Sequence, residues 1–283
     1  MNDYLVSVVL GVVEGLTEFL PISSTAHLRI TEALLRLSLD QPYWKMYTIV
    51  IQLGAILCLP FYFRARLSTF LTRREGPWMA QPAALVMAAF VVTALPAFLL
   101  SKVIGKHLES LFIMGSALLL GGVVMGMVDV WKSRWEKAGP EAPGTTIRTW
   151  SMETMTLPQA VWIGACQILS AVFPGTSRSM STIAGGQIVG LSRAAALEFS
   201  FFLSIPTMVA ATGYELLKAL LGKGATLTLG LHGWLVLSIG FLVSFAVAYG
   251  SVAALMAWVR KHGFLPFSVY RILVGAAVLV WAA

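Results

Sequence analysis

Six long apolar segments restrict the fold that this chain can adopt. An α-helix needs about 20 consecutive apolar residues to cross the hydrocarbon core of a bilayer. Hydrophobic residues make up 58% of the sequence and charged residues 12%, which is about half the charged fraction of a typical soluble domain. The sequence therefore predicts an all-α polytopic membrane protein that forms a single integral membrane domain over residues 1–283. The predicted spans are residues 46–63, 82–100, 111–131, 194–217, 234–259 and 269–283.

The basic residues lie between the apolar segments and give the chain a net charge of +7. Because they form no single patch, they indicate membrane topology and phospholipid contacts rather than nucleic-acid binding. The positive-inside rule assigns the loops richer in lysine and arginine to the cytoplasm, which places both termini outside. Ten basic residues lie in the loops assigned to the cytoplasm: Arg64, Arg66, Arg73, Arg74, Lys132, Arg134, Lys137, Arg148, Arg260 and Lys261. Seven lie in the loops on the other side: Arg29, Arg36, Lys45, Lys102, Lys106, Lys218 and Lys223.

The chain places several polar groups inside an apolar region at residues 14–27, which read E-G-L-T-E-F-L-P-I-S-S-T-A-H. Glu14 and Glu18 are four residues apart and share one face of a predicted helix, which Pro21 then ends. A charged side chain at the centre of a bilayer costs about 2.5–3.5 kcal/mol on the insertion scale. The pair therefore indicates a functional site. The alternative is a short interfacial helix whose two acids face water.

The second half of the chain repeats this pattern. An apolar segment ends in P-G-T-S-R-S-M-S-T at residues 174–182. We call residues 14–27 the first break and residues 174–182 the second break. Each break precedes three predicted spans. The first repeat covers residues 1–135 and the second covers residues 157–283. A shift of 153 positions aligns Pro21 with Pro174, Glu14 with Gln167, and Ser24 with Ser177.

Each break predicts a re-entrant helical hairpin that enters and leaves the membrane on one side. Three spans per repeat is an odd number, so the second repeat must be inverted relative to the first. The predicted fold therefore has six spans and two re-entrant hairpins in two inverted-topology repeats. Irregular backbone at membrane depth is tolerated only inside the protein or at a cavity, so the two breaks are predicted to face each other.

The second break has the composition of an anion-binding loop. Gly175 lets the backbone turn tightly and approach a ligand closely. Hydroxyl groups and free N–H groups at a helix start donate to phosphate, and the Arg178 guanidinium fits phosphate oxygens. The alternative role of Arg178 is to neutralise Glu14 or Glu18. The predicted phosphate-binding residues are Ser23, Thr25, Gly175, Thr176, Ser177, Arg178 and Ser179.

The first break adds groups that can react. Two carboxylates beside a phosphate suit Mg²⁺ or Ca²⁺, so Glu14 and Glu18 are predicted to bind a divalent cation. A serine and a histidine suit phosphoryl transfer, and a site within a bilayer favours a lipid phosphate as the substrate. The attacking group is left open among Ser24 with His27 as its base, His27 itself, and a metal-bound water.

Four motifs make the sequence resemble the undecaprenyl-diphosphatase family, the bacitracin-resistance type of bacterial membrane phosphatase. They are the two breaks, together with V-I-Q-L-G-A-I-L at residues 50–57 and E-F-S-F-F-L-S-I-P at residues 198–206. The resemblance implies an inner-membrane enzyme that removes the terminal phosphate of undecaprenyl pyrophosphate and so recycles the carrier lipid for peptidoglycan synthesis. Two departures from the family pattern are Thr48, where a glutamate is expected, and Met180, where a glycine is common. The catalytic residues that the resemblance implies are Glu14, Glu18, Ser24, His27 and Arg178.

Three further residues are predicted to lie beside the site: Gln52, Gln167 and Glu198. The rival function is a flippase that binds a polyprenyl phosphate in the same anion-binding loop without hydrolysing it. A purely structural membrane protein would not need two buried acids and a buried arginine. The sequence leaves open the length of the lipid chain and whether the protein forms a homodimer.

Overall fold

The computed structural model describes residues 2–37, 42–72, 77–104, 110–221 and 230–282. Within these ranges the regular structure is helical, apart from one isolated bridge between Thr149 and Leu191. In chain order the α-helices are α1 (Asp3–Thr17), α2 (Ser24–Leu34), α3 (Pro42–Tyr62), α4 (Arg64–Thr72), α5 (Pro82–Ile104), α6 (Leu111–Ala138), α7 (Leu157–Val172), α8 (Arg178–Ile188), α9 (Arg193–Leu221), α10 (Leu231–Val259) and α11 (Leu265–Ala282).

Five of the described helices are long and apolar enough to cross a membrane, and they correspond to five of the six predicted spans. The remaining predicted span, at residues 46–63, is bent. Met46–Tyr62 and Arg64–Phe70 meet at an angle of 72°, and they add a sixth crossing if they form one span. The chain is therefore a multi-pass helical membrane protein. The five segments are Pro82–Leu100, Leu111–Ala138, Arg193–Tyr214, Leu231–Val259 and Leu265–Ala282.

The polar linker between the two halves is shorter than its composition suggests, because α6 continues to Ala138. Gly139 ends this helix with a φ of 85°, a conformation that glycine adopts easily. Farther along, the N–H groups of Arg148 and Thr149 donate to the Gly190 carbonyl at 2.8 and 3.1 Å, which holds the linker against the turn after α8. Four of the loop charges used to predict orientation lie outside the described residues: Arg73, Arg74, Lys106 and Lys223.

The helices that lead into the breaks pack closely against long spans. A Cβ atom at Gly15 of α1 would lie 2.7 Å from the Ser244 carbonyl oxygen of α10. A Cβ atom at Gly164 of α7 would meet the Ala89 backbone of α5. Because glycine has no Cβ, each leading helix can rest directly on a span from the other half of the chain. Helices α6 and α11 also pack together, as do α3 and α9.

An aromatic cluster packs behind the first break. Phe19 contacts Phe201 edge to face with ring centroids 5.4 Å apart, and Phe63 lies 6.1 Å from the same ring. Phe202 and Phe70 continue the cluster, and all five rings are buried. These apolar contacts anchor the break to α3, α4 and α9.

The two breaks are built alike. Both α2 and α8 contain 11 residues, and the residue before each has a positive φ, 75° at Ser23 and 70° at Ser177. Non-glycine residues rarely occupy this region, so Ser23 and Ser177 are equivalent positions. Ser24 is therefore the counterpart of Arg178, since each is the first residue of its helix. The alignment of Ser24 with Ser177 is off by one residue, because the second break has an extra residue after Pro174.

Candidate active site

The two breaks contact each other directly. The Ser179 hydroxyl donates to the Leu20 carbonyl oxygen at 2.9 Å, and the Arg178 guanidinium donates to the Glu18 carboxylate at 3.4 Å. These bonds join residues that are far apart in the sequence. They place the two breaks side by side, as the sequence predicted.

The region where the two breaks meet is called the junction, and Glu18 is its carboxylate. Its Oε2 accepts a 2.6 Å hydrogen bond from Ser24 Oγ, and its Oε1 faces Arg178 Nη2. Glu18 caps the end of α1 and Ser24 opens α2, so the chain reversal at Pro21 brings the two side chains together. A carboxylate that accepts a hydrogen bond from a hydroxyl group is placed to take its proton when the oxygen attacks.

Glu14 lies one helical turn before Glu18 and has no exposed surface. Neither of its carboxylate oxygens accepts a hydrogen bond from a donor group among the described residues, and the Glu18 carboxylate lies close enough to share a proton with it. A buried charge without a partner is strongly unfavourable, so this side chain requires a proton or a cation. Across the described ranges, no group of three or more His, Cys, Asp and Glu side chains is arranged to hold a metal ion. A cation here would therefore complete its shell with phosphate or water oxygens, as Mg²⁺ and Ca²⁺ do.

His27 is a half-buried residue of α2. Its Nδ1 lies 2.7 Å from the Ser23 carbonyl oxygen, which can only accept, so Nδ1 carries the proton. In the neutral ring Nε2 then accepts from the Tyr270 hydroxyl at 2.7 Å. One of the alternatives that the sequence left open has His27 as the base for Ser24; in the structure the Ser24 hydroxyl donates to Glu18.

The second break has little room for side chains. Gly175 has a φ of 91°, and a Cβ atom there would lie 2.6 Å from the Met114 carbonyl oxygen, so this position requires glycine. The Ser177 hydroxyl accepts from the Met180 N–H at 3.3 Å and lies 3.1 Å from the Ser179 hydroxyl. Ser177 thus caps α8 as N-cap serines commonly do.

The remaining hydroxyl groups differ in their surroundings. Ser23 and Thr176 are buried at the junction, whereas Thr25 is exposed. Ser23 makes no side-chain cap of α2. The first N–H groups of α2 and α8 have no partners within their helices, and a helix start favours an anion. Both helix starts lie at the junction, so their N–H groups can donate to one bound phosphate group there.

Arg178 is held at one end and has an unused donor at the other. Its side chain is 10% exposed, and Nη1 donates to the Ser200 carbonyl oxygen of α9 at 3.2 Å. Its Nε has no hydrogen-bond partner among the described residues. Arg178 therefore neutralises Glu18 and keeps a donor for a further acceptor.

The three residues predicted beside the site have separate surroundings. Gln52 is half-buried on α3, and Gln167 is 1% exposed on α7, with its amide group donating to Thr207 Oγ1 at 3.1 Å. Glu198 pairs with Arg66 at 2.7 Å. This ion pair ties α4 to α9 and so secures the bend that follows α3.

Sequence reasoning missed two neighbouring residues of α11, Tyr270 and Arg271. Tyr270 binds His27, and Arg271 has no exposed surface and donates to backbone carbonyl groups of both breaks. The usable signal was an arginine within the apolar segment 269–283, because an ionisable residue inside a membrane span indicates a functional site. It was overlooked because it stands outside every motif.

Comparison with known proteins gives matches over nearly the whole chain. The family model described as bacitracin resistance protein BacA matches residues 7–277. An undecaprenyl-diphosphatase of Koribacter versatilis is 60% identical over 100% of this chain and 99% of its own length. One from Caldanaerobacter subterraneus is 39% identical over 96% of this chain and 93% of its own length. Undecaprenyl-diphosphatase 2 of Paramagnetospirillum magneticum is 40% identical over 98% of each chain.

The range that the family model matches spans both breaks and the positions of Tyr270 and Arg271. The chain therefore belongs to the bacitracin resistance protein BacA family.

Proposed function

We propose that this protein hydrolyses undecaprenyl pyrophosphate to undecaprenyl phosphate and inorganic phosphate in the bacterial inner membrane. The reaction returns the carrier lipid to the synthesis of peptidoglycan and other envelope polymers. The family match and the relatives named undecaprenyl-diphosphatase support this substrate. The observation that carries the chemistry is the Ser24 hydroxyl bound to Glu18, with Arg178 on the other carboxylate oxygen.

In the proposed reaction Ser24 Oγ attacks the terminal phosphorus while Glu18 takes the hydroxyl proton. The bond from that phosphorus to the bridging oxygen breaks, and undecaprenyl phosphate leaves with the bonding electrons. Water then adds to the phosphoserine, Glu18 returns the proton to Ser24 Oγ, and inorganic phosphate leaves. His27 is the second candidate for attack, but both of its ring nitrogens are already hydrogen-bonded.

Arg178 and the two helix starts bind the phosphate groups in this proposal. The 3.4 Å contact between Arg178 and Glu18 is long for a charged hydrogen bond. The guanidinium can therefore turn toward a phosphate oxygen at little cost. Stabilising the charge that spreads over the phosphoryl oxygens is the main task in phosphoryl transfer.

A divalent cation, Mg²⁺ or Ca²⁺, is part of the proposal, held by Glu14 and Glu18. The support is Glu14, whose buried oxygens accept no hydrogen bond from a donor group among the described residues and lie beside a second carboxylate, Glu18. When bound, such a cation supplies positive charge to the phosphate oxygens. Attack, proton transfer and phosphate binding are carried out by Ser24, Glu18 and Arg178, respectively.

Glu14→Gln is expected to lower phosphate release and to weaken its dependence on added Mg²⁺ or Ca²⁺, because glutamine keeps the shape but loses the charge. The measurement is the release rate against cation concentration in protein stripped of metal with EDTA. Glu153→Gln changes a half-buried acid outside the site and should keep the wild-type cation dependence. Full activity of the stripped wild-type protein would contradict the cation role.

The two halves, residues 1–135 and 157–283, are proposed to be inverted repeats with re-entrant breaks and both termini outside. Support comes from the packing between the halves, because a helix of one half and its counterpart in the other half pack on corresponding helices of the opposite half. Helix α1 packs on α10, and its counterpart α7 packs on α5, the counterpart of α10. Helix α3 packs on its own counterpart α9, and α6 packs on α11. A two-fold relation between the halves produces this pattern.

Cysteine labelling tests this orientation. In a variant without Cys58 and Cys166, a cysteine at Glu141 in the linker should react only from the cytoplasmic side. One at Leu231, which is 78% exposed at the start of α10, should react only from outside. Reaction of both positions from the same side would rule out the inverted arrangement.

Release of inorganic phosphate from a polyprenyl pyrophosphate by the purified protein tests the function itself. We expect turnover by the wild-type protein. The competing function is a flippase for the polyprenyl phosphate, which the packing between the halves also fits. A folded protein that releases no phosphate but moves the lipid across vesicle membranes would overturn the phosphatase proposal in favour of the flippase.

A further inference from the structure

Arg271 makes four hydrogen bonds to carbonyl oxygens at the junction of the breaks. Its Nη1 donates to Pro21 at 3.2 Å, and its Nη2 lies 3.0 Å from Ala117, 3.2 Å from Gly175 and 3.0 Å from Thr176. The side chain has no exposed surface. One guanidinium thus holds the first break, the second break and α6 together.

The guanidinium of Arg271 has no acidic partner within the described residues; its hydrogen bonds go to neutral carbonyl groups. Burying a charge without a counter-charge is costly, and carbonyl dipoles offset the cost only in part. A packed apolar side chain would serve stability alone at least as well. The residue is therefore better explained by what it does to the site than by its contribution to stability.

The bonds to the second break orient its N–H groups. The described chain has no cis peptide bonds, and in a trans peptide the N–H group points away from the carbonyl group. Because Arg271 holds the Thr176 carbonyl, the Ser177 N–H in the same peptide points away from Arg271. That N–H has no acceptor among the described residues. It is followed by the free N–H groups of Arg178 and Ser179 at the start of α8, and such a run binds anions.

We propose that Arg271 is a positioning residue for the phosphatase reaction. It turns the N–H groups of the second break toward the substrate phosphates and holds the two breaks in register with each other. It acts through the backbone of Pro21 and Thr176 and does not itself touch the substrate. This inference rests on the proposed function.

Helix α6 is shaped around this side chain. A Cβ atom at Gly121 would meet Arg271 Nη2 and the Met180 side chain. A Cβ atom at Gly115, on the same α6–α11 interface, would instead meet Leu279 at 2.9 Å. A substitution at Gly121 therefore disturbs the Arg271 guanidinium, whereas one at Gly115 disturbs only the packing of α6 on α11.

Arg271→Lys is the first test, because lysine keeps the charge but cannot reach all four carbonyl groups from one planar fork. We expect kcat to fall by about 10- to 100-fold, the size of effect that a misplaced site causes. The dissociation constant of inorganic pyrophosphate, measured by calorimetry, should rise by about 10-fold or more. Inhibition by a neutral polyprenol, which has the lipid tail alone, should stay unchanged.

Gly121→Ala and Gly115→Ala form the second test, which also serves if Arg271→Lys fails to fold. Both variants add one methyl group to the same helix interface. Only Gly121→Ala should weaken pyrophosphate binding and slow turnover.

The inference is overturned if folded Arg271→Lys and Gly121→Ala both keep kcat and pyrophosphate binding within about twofold of wild type. It is also overturned if the losses of kcat and pyrophosphate binding in the variants are proportional to the fall in their melting temperature and inhibition by polyprenol weakens to the same extent. A wild-type protein that binds pyrophosphate but releases no phosphate would refute the proposed function instead.

Discussion

Ser24→Ala is expected to lower the rate of phosphate release by about 10³-fold or more. The substitution removes the attacking oxygen, and with it the proton transfer to Glu18 that alone contributes about 10²- to 10⁴-fold. Ser24 is 8% exposed and its hydroxyl bonds only to Glu18 among the described residues, so alanine fits the same space. The measurement is the initial rate of purified protein on a polyprenyl pyrophosphate.

Ser133→Ala is the matched control, because it removes the same hydroxyl group from a half-buried position on α6 outside both breaks, where the side chain donates to the Val130 carbonyl oxygen. Its rate should stay within about twofold of wild type. Trapping identifies the attacking atom: a phosphoenzyme that survives acid indicates Ser24, and one that survives base but not acid indicates His27. Near-normal turnover by Ser24→Ala would show that the site is misplaced.

Arg178→Lys is expected to slow turnover by at least about 10-fold. Lysine keeps the charge but loses the planar fork that fits phosphate oxygens, and a charged hydrogen bond contributes about 1.5–3 kcal/mol. Lysine also lacks a second group to hold the Ser200 carbonyl while it binds phosphate. The measurement is kcat and KM for phosphate release on the same substrate.

Arg66→Lys is the control for this substitution, since Arg66 forms its ion pairs with Glu198 and Glu153 and not with a residue of either break. It should keep the wild-type rate within a few fold. A rate for Arg178→Lys within twofold of wild type would exclude a phosphate-binding role and leave Arg178 as the neutralising partner of Glu18.

The local parts of the site could be predicted because they depend on short spacings. Glu14 and Glu18 lie one helical turn apart, and Pro21 interrupts the helix, so the sequence alone indicates two acids at a break. The second break could be matched to the first by its proline and serines. The exact register could not, because the extra residue is revealed only by the positive φ angles of Ser23 and Ser177.

The hydrogen-bond partners of the site could not be predicted, because they come from distant parts of the chain. His27 is three residues from Ser24 in the sequence, yet its ring bonds to Tyr270 on α11. The role of Arg271 likewise depends on α11 passing behind both breaks. Sequence proximity therefore favoured His27 as the base, whereas the folded chain gives Ser24 a carboxylate partner.

The fold shows the same division. Five spans follow from hydrophobicity alone, since each is a long apolar helix. The bend of 72° between α3 and α4 does not, because an arginine after an apolar segment indicates a loop as readily as a second helix. Its position is secured by the ion pair between Arg66 and Glu198, which joins residues 132 positions apart.

The energetic coupling between Glu18 and Arg178 tests most directly whether the two breaks form one site. Phosphate release is measured for Glu18→Gln, for Arg178→Lys and for the double variant. Residues that act as a unit in catalysis give strongly non-additive losses. The double variant should therefore be slower than the slower single variant by no more than about threefold. If the two losses multiply instead, Glu18 and Arg178 act independently, and the claim of one site built from both breaks is contradicted.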